Sequence, residues 1–110
     1  MTEIKLFRDR DANIVKGIMS GHTDYADAGS DIVCASVSSS IFMALNGIEN
    51  VLNTQFGYET KDGYVEFILP CDLNDDKIKE INILLDSMYL FLHELQSQYP
   101  DNVKITELEV

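Results

Sequence analysis

Apolar and polar residues alternate at the start of the chain. Ile4, Leu6 and Phe7 sit among charged neighbours from Thr2 to Arg8, and Ile14, Val15, Ile18 and Met19 follow the same habit from Asn13 to Ser20. With Asp9-Arg10-Asp11-Ala12 between them, the two runs predict an antiparallel hairpin. A second hairpin is marked more sharply: Phe56–Thr60 and Tyr64–Leu69 flank Lys61-Asp62-Gly63, whose Asp-Gly step suits a tight turn with positive φ. Between the hairpins the period changes. Val33, Val37, Ile41, Ala44, Ile48 and Val51 recur every three or four residues, and Ile32, Phe42, Leu45 and Leu52 widen the stripe, so a largely buried helix is expected. A second helix should begin near Asn74, carry Asp75 and Asp76 in its first turn as the helix dipole favours, and stop before Pro100. Its stripe is Ile78, Ile81, Leu85, Met88, Leu92 and Leu95. A last strand runs from Val103 to Glu109. The order ββαββαβ predicts a mixed α/β (α+β) sandwich: a mostly antiparallel sheet of about five strands with two helices.

A chain of 110 residues, 45% hydrophobic, can build one core and not two, so residues 1–110 are read as one domain. No apolar run is expected to approach the length that spans a bilayer, and Met1-Thr2-Glu3-Ile4-Lys5 lacks the pattern of a secretory signal, which together imply a cytoplasmic protein without a membrane partner. Nineteen acidic residues against eight basic ones give a net charge of −11. That charge repels nucleic acid; it suits a basic partner, or serves only solubility. The two cysteines and two histidines show no short metal-ligand spacing, so neither metal nor cofactor is expected, and a reducing compartment argues against a disulfide.

The chemistry concentrates in Gly21-His22 and Gly29-Ser30-Asp31-Ile32-Val33-Cys34, which set a histidine and a cysteine at the two ends of a loop. Ser30 or Asp31 would cap the helix, leaving Cys34 in its first turn, where the macrodipole favours a thiolate and free amides could receive an oxyanion. His22 would take the thiol proton and return it to a leaving amine. Asp31 could orient the imidazole or merely cap. On pattern alone a lone cysteine next to Ile32 and Val33 is more often a small packed residue, here of a non-catalytic module that binds a basic partner, and the absence of a Cys-x-x-Cys pair weakens an oxidoreductase. Cys71 and His93 are assigned no catalytic role; Cys71 is taken as structural. Ser38 lies one turn beyond Cys34 on the same helical face. The segment from Thr23 to Ala28, flanked by glycines and without apolar periodicity, is expected to be mobile.

The run Gly21-His22, then Gly29 through Ser38, closely resembles the signature of the bacterial ribosomal-processing cysteine protease family, Prp. The likeness continues through Ala44-Leu45-Asn46-Gly47-Ile48 and Tyr99-Pro100, and covers nearly the whole chain. Thr23 and Ser36 depart from it, alanine being frequent in the family at both positions. The resemblance implies a cytoplasmic, homodimeric endopeptidase. Its substrate would be a ribosomal protein precursor, the large-subunit protein numbered twenty-seven, cut after an aromatic residue to remove an N-terminal extension. The resemblance makes His22 and Cys34 the catalytic dyad and Asp31 a further required residue. An aromatic cleavage site needs an apolar pocket, for which Met19, Tyr25, Ile32 and Ser38 are the expected lining.

Overall fold

The computed structural model describes residues 1–27 and 29–110; Ala28, at the end of the segment expected to be mobile, lies outside them. The elements follow the order read from the sequence: β1 (Thr2–Arg8), β2 (Ile14–Ser20), α1 (Ile32–Asn46), a π-helical turn (Gly47–Val51), β3 (Gly57–Lys61), β4 (Tyr64–Ile68), α2 (Asp75–Gln98) and β5 (Val103–Glu109). The strands form one sheet in the order β3-β4-β2-β1-β5. Every pairing is antiparallel except that of β5 with β1, which is parallel because α2 carries the chain back across the sheet.

Alternation decides which sheet face is buried. Ile4 and Leu6 of β1, Met19 of β2, and Val65 and Phe67 of β4 point to one side and are buried. Ile41 of α1 and Met88 of α2 meet them there. Gly17 stands opposite Phe67, and a Cβ on it would lie 2.3 Å from the ring, so the missing side chain is what lets the phenyl group lie flat on the sheet. α2 crosses this face with Ile81, Leu85, Met88, Leu92 and Leu95 inward. Its buried Asn82 accepts the Ile14 N–H at 2.7 Å and donates to the Ile14 carbonyl at 3.3 Å, holding the first residue of β2.

Two expectations need correction at α1. The first concerns burial: Val33, Val37, Ile41, Ala44, Leu45 and Ile48 are inside, but Ile32, Phe42 and Val51 are exposed. One face of the helix meets the sheet and α2, and the widened stripe extends past that contact. Val51 also leaves the stripe because the Leu52 N–H reaches the Gly47 carbonyl five residues back, at 2.9 Å, and the wider π turn changes the phase. The second concerns length: Ile32–Val51 forms a continuous helical stretch of 20 residues with mean hydropathy 1.4, long and apolar enough to cross a membrane. Its buried face, with Val33, Val37, Ile41, Ala44, Leu45 and Ile48, carries part of that apolar character, and Ile32, Phe42, Met43 and Val51 carry the rest at the surface.

Candidate active site

β2 and α1 end and begin at the same cleft. Gly21, at φ +93°, turns the chain out of β2 and donates its N–H to the Gly63 carbonyl at 2.9 Å, so the residue before His22 is tied to the β3–β4 turn. Gly63 has φ +68°, and a Cβ there would stand 2.9 Å from His22 Nε2; the imidazole rests against the turn in the space a side chain would take. Asp62 Oδ2 lies 3.8 Å from the same nitrogen, with the imidazole about half exposed.

On the other wall, Asp31 caps α1. Its Oδ1 accepts the Cys34 N–H at 2.8 Å. Its Oδ2 accepts the Thr23 hydroxyl and the Tyr25 and Ala26 N–H groups, the latter two at 3.0 and 3.4 Å. Desolvation alone would raise the Asp31 pKa. The bonds from Thr23, Cys34, Tyr25 and Ala26 outweigh it and hold the group at about 2, below the ordinary 3.8. Thr23 is fully buried and its carbonyl accepts from Asn102 Nδ2 at 2.8 Å, which anchors the loop to the segment before β5. Thr23, within the segment expected to be mobile, is thus buried and has two side-chain partners, which a polar, glycine-flanked run does not reveal.

The Cys34 amide is donated to Asp31 Oδ1 and the Ala35 amide to the Asp31 carbonyl at 3.1 Å. The two amides nearest the thiol in sequence are thus committed, contrary to the expectation that they stand free for an oxyanion. Cys34 itself is half-buried. Cys71, expected to be structural, is an exposed free thiol just beyond β4.

A cleft of about 670 Å³ lies between these walls, lined by His22, Cys34, Asp31, Met19, Ser38 and the Lys61-Asp62-Gly63 turn, among others. Of the expected pocket residues, Met19 and Ser38 line it. Tyr25 turns instead to Tyr99, edge to face with centroids 5.3 Å apart, and Ile32 projects from the first position of α1, 60% exposed; neither lines the cleft. Phe42, read from periodicity as a core residue, lines the cleft and also a neighbouring groove of about 610 Å³ with Met43, Phe56 and Tyr58. The Phe56 and Tyr58 rings lie 5.4 Å apart. One signal was available in advance: Phe42 falls at the margin of an apolar stripe too wide for a helix with one covered face.

The family model described as cysteine protease Prp matches residues 1–104. The ribosomal processing cysteine protease Prp of Bacillus subtilis is 30% identical over 112 residues, with 96% of each chain covered. That of Staphylococcus aureus is 26% identical over 107 residues, covering 96% of this chain and 97% of the relative. Among solved structures, the essential ribosomal processing protease Prp of S. aureus, with a covalently linked product peptide, matches with TM-score 0.87 at 24% identity over 97% of this chain and 99% of the other. SMU.848 of Streptococcus mutans matches with TM-score 0.79 at 20% identity, covering 100% of this chain and 96% of the other. These two structural likenesses establish the shared fold.

Proposed function

Because this chain belongs to the cysteine protease Prp family and is a cysteine protease, we propose that it removes the N-terminal extension of a large-subunit ribosomal protein, the one numbered twenty-seven, by a Cys34–His22 dyad. The observation that carries the reading is that His22 and Cys34, twelve positions apart, line one cleft, with Cys34 in the first turn of a helix capped by Asp31. A thiol there sits at the positive end of the macrodipole. In this mechanism His22 accepts the Cys34 proton, the sulfur attacks the scissile carbonyl carbon, and the C–N bond breaks as His22 returns the proton to the leaving amine. Water then hydrolyses the thioester with His22 again as base, restoring the thiol. Asp31 acts as cap and anchor of the loop: its hydrogen bonds go to Thr23, Tyr25, Ala26 and Cys34.

Cleavage after an aromatic residue is supported by the groove at Phe42, Phe56 and Tyr58, which adjoins the cleft and is apolar enough to hold a phenyl side chain. Burying one phenylalanine there would contribute roughly 1.5–3 kcal/mol. The net charge of −11 favours capture of a basic ribosomal protein, which would place the reaction in the cytoplasm. A homodimer is the proposed assembly: Met43 of α1 and Phe91 of α2 are exposed and line a shared groove of about 420 Å³, an apolar face suited to a second copy. Incubation with the extended precursor, followed by mass spectrometry, tests the reaction. One cut after an aromatic residue is expected; an intact precursor overturns the reading. Sedimentation at micromolar concentration tests the dimer, and a monomer there would reject it.

A further inference from the structure

The β3–β4 turn packs against His22. We propose that Asp62 is the positioning residue of the histidine: its carboxylate holds imidazole Nε2 against the turn and leaves Nδ1 for the Cys34 thiol. This rests on the dyad proposed above and adds to it the group that orients the base. Three observations converge. Asp62 Oδ2 lies 3.8 Å from His22 Nε2, and among the described residues no other carboxylate forms an ion pair with that ring. Gly63 presents bare backbone where a Cβ would come within 2.9 Å of Nε2, so the ring is seated against the turn beside Asp62. The bond from the Gly21 N–H to the Gly63 carbonyl, 2.9 Å, fixes the turn to the backbone that carries His22.

Asp31, the residue that the sequence offered for this role, is committed elsewhere. Both of its oxygens accept bonds from Thr23, Tyr25, Ala26 and Cys34. The other charged groups at the cleft are Asp24 and Lys61. Lys61 Nζ lies 3.8 Å from Glu59 and 5.2 Å from the centre of the Tyr64 ring, so it does not compete for Asp62. The carboxylate faces the ring that receives the Cys34 proton, so its removal deletes an attractive contact made when the dyad separates charge. Asp62 is almost fully exposed, so the effect is modest and weakens with salt.

The readout is the rate at which iodoacetamide alkylates Cys34 in the full-length protein, with the exposed Cys71 as internal reference. Asp62→Ala should slow Cys34 by about two- to five-fold at low salt, leave Cys71 unchanged, and lower kcat by a similar factor at constant KM. Asp62→Glu should recover most of both, and raised salt should narrow the gap between the parent and Asp62→Ala. The turn tolerates either change, because Gly63 and not Asp62 carries the positive φ. A Cys34 alkylation rate in Asp62→Ala equal to that of the parent overturns the proposal, whatever happens to cleavage. A parent protein that shows the Asp62 dependence in alkylation but leaves the ribosomal precursor intact supports the pairing and rejects only the substrate.

Discussion

The two walls of the cleft are built on opposite principles. On the Cys34 side one carboxylate collects four hydrogen bonds, the threonine that donates one of them is fully buried, and a further bond from Asn102 ties the loop to the segment before β5. On the His22 side an imidazole about half in water leans on a glycine turn, with one exposed carboxylate 3.8 Å away. The difference teaches where rigidity is needed. The proposed nucleophile sits at a helix terminus whose direction a satisfied cap can lock, whereas the proposed base is seated by a close backbone approach at Gly63 and one solvent-exposed carboxylate.

The sharpest way to break the contrast is to remove each reactive group. Cys34→Ala should reduce precursor cleavage by on the order of 10⁴-fold or more and His22→Ala by about 10²–10⁴-fold, with the fold intact, while Cys71→Ser retains activity. Timed mass spectrometry of the precursor checks all three, and full activity in Cys34→Ala would reject the mechanism. Asp31→Ala strikes the rigid wall instead. It strips the acceptor from three backbone amides and a buried hydroxyl, and should cost about 2 kcal/mol, or about 10 °C in melting temperature, with cleavage lost in parallel. His22→Ala should cost far less stability, and calorimetry on the two variants separates the walls.

Thr23→Val sharpens the comparison within the rigid wall. It deletes one donor to Asp31 at nearly constant volume, so a loss of about 1 kcal/mol in urea unfolding is expected, with cleavage reduced only a few-fold. A further test of the same wall uses acid. Asp31 ionises at about 2 in the folded protein against 3.8 ordinarily, so the stability it contributes is present above about pH 4 and drains away as pH falls toward 2. Asp31→Asn should flatten the unfolding free energy in that window; a slope identical to the parent's would show that the cap is not what lowers the pKa.

Much of this architecture was legible in local pattern. Alternation marked the strands, Asp-Gly marked the β3–β4 turn, and Asn74 marked the start of α2, where its side chain accepts the Lys77 N–H at 2.8 Å. The period of α1 named the residues that are buried, but it also claimed Phe42 and Val51, which are not. A hydrophobic stripe states how much apolar surface a helix carries; it does not state how much of that surface its own chain covers. The pocket suffered from the same limit. Met19 and Ser38 reached the cleft because a strand end and a helix face fixed their direction, whereas Tyr25 sits in a loop whose path depends on Asp31 and Asn102.

The sequence by itself determined the elements, their order and the pair of residues proposed to react, because these depend on spacing along the chain and on short-range rules of capping and periodicity. Tertiary structure decided what stands opposite what. It set β5 parallel to β1, brought the Asp62-Gly63 turn against His22 from forty residues away, and spent the carboxylate of Asp31 on Thr23 and the helix start. Contacts between segments distant in sequence depend on sheet order and register, which settle only when the whole core packs at once.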